Sequence, residues 1–269
     1  MEILGIDFTS APSPTKPITC IRADLDDHIL SVRELERWIN FAAFESALMS
    51  PGPWIAGIDF PFGQARRFID NVGWPDNWVD YVNYVSRLTR NEFRAQLDTY
   101  RQGREIGDKE HRRKTDIAAG SISPQKLYGT PVGLMFFEGA PRLLKSGVSI
   151  PGVHVGDPQR VVVEAYPGVL IRQLIGRQSY KQDTKARQTS EQHDARRRIL
   201  ELARSERLVS SHGVKVVAPN SLVDDPGGDD LDALLCAVQA AWAFRQQESH
   251  FGAPPDLDPC EGWIADPSG

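Results

Sequence analysis

Four stretches decide the fold: ILGIDFTSAP at residues 3–12, WIAGIDFPFG at 54–63, RVVVEAYPG at 160–168 and GGDDLDALLCAVQAA at 227–241. In the first three, Ile, Leu and Val continue without polar alternation until Asp7, Asp59 or Glu164 appears, and strand-breaking residues follow. That is the pattern of strands buried on both faces, as in a parallel sheet. The fourth reads as a helix: Leu231, Leu234, Leu235, Val238, Ala241 and Trp242 recur at helical spacing behind Asp229, Asp230 and Asp232. Acids that end parallel strands, joined by an acid at a helix start, converge at one edge of a sheet. Carboxylates crowded in this way repel one another unless a cation lies among them.

A chain of 269 residues, 41% hydrophobic and 25% charged, is long enough for a substantial core and has the balance of a globular domain. No apolar run approaches the roughly 20 residues that cross a bilayer. The first strand begins almost at the N-terminus, with no room for a signal peptide before it, so a cytoplasmic location is expected. A net charge of −5 argues against general coating of nucleic acid but leaves room for a local basic groove. Cys20 falls in a strand, Cys236 on a helix and Cys260 in a loose tail, and none makes a CxxC pair. Free thiols are therefore expected, without a disulfide or a zinc site.

The chain in order predicts a first strand over Glu2 to Phe8, then a hairpin of Ile18 to Leu25 and His28 to Val32 turning at Asp26 and Asp27. Ser31 and Glu34 have capping-box spacing, and Leu35, Trp38, Ile39, Ala42, Ala43 and Ser46 then recur at helical spacing before Pro51. Trp54 to Asp59 is the next strand. A strand meander, a helix and a strand in this order open an RNase H-like domain. The expected fold is thus α/β, a mixed sheet flanked by helices in a single domain over residues 1–269. Residues 64–150 read as a mostly helical and loop insertion after the fourth strand, including an apolar stripe of Trp78, Val82, Val85 and Leu88. A strand over Arg160 to Ala165, a helix with Pro167 in its first turn, a charged helix over Ser190 to Glu206 and a short strand at Val214 to Val217 follow.

Each acid taken singly has a plain reading, since a strand-end Asp caps turns and Asp229 fits an N-cap. Their shared placement is what points to a common site. As ligands for two Mg²⁺ or Mn²⁺ ions, Asp7 is the natural bridge, and Asp59 and Glu164 hold the ions from adjoining strand ends. Asp229 and Asp232, three residues apart, present carboxylates from one helix face, and Asp230 is a reserve about 100° round the helix. Thr9 and Ser10 beside Asp7, and Arg112, Arg113 and Lys126 in the insertion, are candidate substrate contacts. Arg196, Arg197 and Arg198 form a second basic run, although charge runs with interspersed acids are commonly solvated faces.

The combination of GIDFTSAP, GIDFPFG, VVVEAYPG and DDLDALLCAVQAAW with a final EGWI resembles the domain-of-unknown-function family numbered 429, over nearly the whole chain. Members of that family are described as predicted nucleases of RNase H-like fold. The resemblance implies a carboxylate-coordinated metal centre at Asp7, Asp59, Glu164 and an acid of the last helix, and a hydrolase acting on nucleic acid or a small phosphodiester. Two other readings stay open. Asp7-Phe8-Thr9-Ser10 also resembles the first phosphate loop of the sugar-kinase, Hsp70 and actin group, an ATP-binding phosphotransferase reading. A non-catalytic binding protein with an inert acidic pocket is the third. Monomer and dimer are not distinguished by the sequence.

Overall fold

The computed structural model describes residues 1–182 and 184–267. β1 (Glu2–Asp7), β2 (Ile18–Asp26) and β3 (Ile29–Trp38) form the meander, and α1 (Phe41–Leu48) leads into β4 (Trp54–Ile58). The insertion then runs through α2 (Arg66–Val72), α3 (Trp78–Ser86), α4 (Arg90–Arg101), α5 (Lys114–Ala118) and α6 (Val132–Ser146). β5 (Val148–Ser149), β6 (Asp157–Glu164), α7 (Pro167–Ile175), α8 (Ser190–Ala203), α9 (Glu206–His212), β7 (Lys215–Val217) and α10 (Asp229–Arg245) complete the order. The strands form one mixed sheet of seven, in the order β5-β6-β4-β1-β2-β3-β7, in which β2 runs antiparallel to both neighbours and every other pairing is parallel. The chain is thus α/β, with helices on both faces of the sheet.

The helix expected from Ser31 starts ten residues later, at Phe41, because Ser31 to Trp38 continues β3. Arg22 pairs with Glu34 and Ala23 with Val32, so Arg33 is the extra residue of a bulge. A bulge shifts the inside–outside alternation by one residue, and that shift gives Leu35 and Trp38 a spacing that imitates a helix. The helix cap is Asn40, whose side-chain oxygen accepts from the Ala42 amide at 3.0 Å. Cys260, expected in a loose tail, is buried, and its thiol donates to the Asp76 carbonyl. The three cysteines are free. Among the described residues no helix is long and apolar enough to cross a membrane.

Alternation along the strands sorts the core into two layers. Ile3, Ile55, Val161 and Val163 face α10, α7 and α8. Leu4, Ile6, Ala56, Ile58 and Val162 face α1, α3 and α6 on the other side. Gly5 and Gly57 pair with each other across β1 and β4 and belong to the α10 face. A Cβ at Gly5 would lie 2.0 Å from the Ala233 carbonyl oxygen, and one at Gly57 2.2 Å from that of Cys236. These two glycines therefore let the helix backbone rest directly on the two central strands. Leu231 to Ala243 is buried on every side as a result.

Because the two backbones cannot separate without emptying the core around them, Gly5→Ala is expected to destabilise the chain by about 3 kcal/mol, the upper end of the overpacking range. Urea denaturation measures it. A change within about 0.5 kcal/mol, the range of an inconsequential surface substitution, would contradict the close-approach argument.

Candidate metal centre

Asp7 ends β1 two residues after Gly5, and Asp59 follows β4 two residues after Gly57. In a strand, positions two apart share a face, so both carboxylates lie on the α10 side. The Asp59 amide donates to the Ile6 carbonyl at 2.9 Å, which carries the pairing of β1 and β4 on to the acids themselves. Among the described residues neither carboxylate has a hydrogen-bond or ion-pair partner. Burial raises Asp7 well above the ordinary carboxylate range, and the charges of Asp232, Asp229 and Asp59 raise it further. Burial, followed by the charge of Asp232, pushes Asp59 up to about 7.

The first turn of α10 separates its three acids into different roles. Its N-cap is Gly228, in the left-handed region at φ 77°, and the capping oxygens come from Asp225. One Asp225 oxygen accepts from the Asp229 amide at 2.7 Å and from Asp230 at 3.3 Å. Asp229 is thereby relieved of the capping role, and its carboxylate instead takes the Lys16 ammonium at 2.8 Å. Asp230 takes the Arg37 guanidinium at 2.6 Å. Asp232 is the helix acid that acts most strongly on both Asp7 and Asp59. Tyr180 donates to one of its oxygens and Lys181 to the other, each at 2.7 Å.

Glu164 lies near enough to Asp59 for its charge to help raise that carboxyl, and the two line one small cavity, but strand pairing gives Glu164 partners of its own. It lies opposite Ile58, one residue short of Asp59, so it shares the face of Ile58 and Val162 instead of the α10 face. There it forms a buried cluster with the insertion. Arg113 donates to both Glu164 oxygens, at 2.7 and 2.5 Å, while also holding Asp116, and the Phe62 amide donates at 2.8 Å. Arg113 is 1% exposed; it ties α5 to the sheet and lines the small cavity that Asp59 and Lys181 also line. Burial raises the Glu164 carboxyl, against the opposing pull of Arg113.

The basic residues of the cleft are mostly ones the sequence did not single out. A cavity of about 720 Å³ has Asp7, Asp59 and Asp229 in its lining together with Lys16, Arg90 and Arg94. A smaller one of about 200 Å³ adjoins it, sharing Asp59, Thr130, Met135 and Lys181. Thr9 and Ser10 line the larger cavity as expected, while Arg112 and Lys126 are not among the lining residues of either. Arg90 donates to the Ser10 carbonyl at 2.9 Å and to Glu138 at 2.9 Å, pinning the loop after β1. Arg196 is buried and donates to the carbonyls of Val223 and Tyr180, which supports the loop that carries Lys181. Arg197 and Arg198 pair with Asp194 and Glu201 of their own helix. Tyr180 and Lys181 sit in a polar, aperiodic stretch, and no sequence signal marked them.

Asp7, Asp59 and Asp232 supply the hard carboxylate oxygens that suit Mg²⁺ or Mn²⁺, and the raised Asp7 and Asp59 carboxyls show charge that an added cation would offset. Among the described residues no group of three or more such side chains already stands in a metal-holding array, and Asp232 is engaged by Lys181. The donor chemistry fits a divalent cation, with Lys181 as its competitor. The DUF429 family, described as proteins of unknown function, matches residues 5–256, and the chain belongs to that family. No curated protein and no solved structure matches it.

Two outcomes follow from these geometries. The folded chain keeps a proton on Asp59 up to about pH 7, whereas the unfolded chain releases it near the ordinary aspartate value of about 3.9. The folded state binds more protons in that window, so this group costs stability progressively as pH rises through it. Asp59→Asn should therefore gain stability relative to wild type as pH is raised from about 4 to about 7, measured by urea titration in EDTA. A difference that is constant or shrinks with pH contradicts this. Separately, Arg113→Met strands buried carboxylates and should cost about 3–5 kcal/mol; a neutral effect would contradict the structural role given to the Arg113–Glu164 pair.

Proposed function

We propose that the chain is a divalent-metal-dependent phosphodiester hydrolase of RNase H-like fold, with Asp7, Asp59 and Asp232 as its metal-binding acids. The observation that carries this reading is the pair of unpartnered carboxylates on adjoining strands, Asp7 and Asp59, facing a third acid from α10. Structural capping does not require such a meeting. The strand order supports the fold assignment: an antiparallel meander followed by a helical crossover to parallel strands.

Asp7 and Asp59 would hold the cation from the strand ends and Asp232 from the helix. A bound Mg²⁺ or Mn²⁺ would supply Lewis acidity and a more acidic water. The chain's own residues shape what surrounds it. Lys181 balances Asp232 in the metal-free chain and offers an ammonium to a phosphate oxygen once released from that acid. Arg196 fixes the carbonyl of Tyr180 and so limits where Lys181 can move. Gly5 and Gly57 hold α10 against the strands, which keeps the three acids at one level. Fixed positioning of this kind is what allows charged groups to stabilise a reacting phosphate.

Mn²⁺ is expected to raise the melting temperature, Asp7→Asn to abolish the rise, and Lys181→Met to enlarge it by removing the competing cation. Absence of any metal response in wild type sinks the reading. Hydrolysis is then scored on DNA, RNA, branched and cyclic substrates with Mn²⁺, using the Asp7→Asn protein as the control for contaminating nuclease. Stabilisation by ATP beyond that of metal alone would favour a phosphotransferase instead.

A further inference from the structure

The cleft carries information about the size of what it takes. Its volume of about 720 Å³ lies within the range of about 300–1,000 Å³ typical of small-molecule sites. Its lining divides by charge: the acids come from β1, the residue after β4 and the start of α10, whereas Arg90 and Arg94 come from α4. Arg90 and Arg94 are four residues apart, so they project from one face of that helix.

Most of the cationic charge in this cleft is already committed. Lys16 holds Asp229, Arg90 holds Glu138 and Lys181 holds Asp232. Arg94, by contrast, is exposed and among the described residues has no acidic partner. Its neighbour Arg90 is fixed on the loop after β1 through the Ser10 carbonyl and hydroxyl. A protein that follows a duplex binds it largely by neutralising several phosphates with Lys and Arg side chains. Here, among the described residues, one uncommitted guanidinium lines the cavity, the Arg196–Arg198 run is spent on a carbonyl clamp and intrahelical pairs, and Arg113 is buried.

We propose that the site takes a compact phosphodiester of one or two nucleotides, with a second, non-reacting phosphate seated on Arg94 while the reacting one lies at Asp7 and Asp59. The inference rests on the hydrolase reading for the reacting phosphate, but the Arg94 seat stands on the cleft alone. Arg94 then acts as a specificity residue, selecting esters that carry a terminal phosphate. An unphosphorylated end leaves it facing solvent.

Isothermal titration of the full chain in EDTA, with thymidine dinucleotide bearing or lacking a 5′-phosphate, tests the seat without turnover. The added contact to Arg94 should make the phosphorylated form bind about tenfold more tightly, about 1.4 kcal/mol. Arg94→Gln should bring that ratio close to one, Arg94→Glu should invert it, and neither should shift the melting temperature, since the side chain is exposed. Equal affinities in wild type, or a ratio unchanged in Arg94→Gln, overturn the proposal. So does a thymidine–adenine duplex that binds more tightly than the phosphorylated dinucleotide with a steep salt dependence. If the ratio behaves as expected but Mn²⁺ supports no cleavage of the same dinucleotide by wild type, the Arg94 seat is upheld and the hydrolase reading fails.

Discussion

Direct contact between the backbone of α10 and the two central strands is the constraint on which the rest depends. It is possible only because Gly5 and Gly57 face each other across β1 and β4 and neither has a side chain on that face. The contact sets the depth at which the helix runs. It also fixes the height of the helix start against the ends of the strands, and so brings Asp232 to Asp7 and Asp59. A larger residue at either position would lift the helix and disperse the acids together, so packing and site geometry are a single arrangement.

Around that arrangement the chain spends buried charge twice, in different ways. On the α10 face the carboxylates of Asp7 and Asp59 have no partners among the described residues, which is costly and is visible in how burial and neighbouring acids raise them. On the opposite face Arg113, Asp116 and Glu164 are buried as a satisfied cluster, with donors from the Phe62 amide as well. Buried charge left unpaired at a cleft is a mark of a functional site, whereas buried charge fully paired beneath an insertion is commonly architectural.

Much of this was legible from pattern alone. The apolar runs ending in Asp7 and Asp59 gave the central strands and their acids, and the helical period after Asp229 gave the last helix. Three things were not legible. The bulge at Arg33 changed the phase of β3, so a strand imitated a helix. Selection among Asp229, Asp230 and Asp232 depended on Lys16, Arg37, Tyr180 and Lys181, which lie far away in the sequence and in stretches without periodicity. The basic wall of the larger cavity comes from α4, whose arginines look from sequence like any amphipathic helix surface, while of the denser run at Arg112 to Lys114 only Arg113, bound to Glu164, lines the adjoining cavity.

The pairing of Glu164 with Ile58 has a consequence for reading related chains. Pleating assigns consecutive residues to opposite faces, so a carboxylate at position 165, where this chain has alanine, would share the face of Asp7 and Asp59, while the one at 164 is turned to the insertion and held by Arg113. The face and the partners of a strand-end carboxylate are therefore a matter of a single position. An alignment that slides this segment by one residue would confuse the arginine-bound carboxylate with one on the face of Asp7 and Asp59, and the partner to look for when deciding between them is an arginine in the insertion.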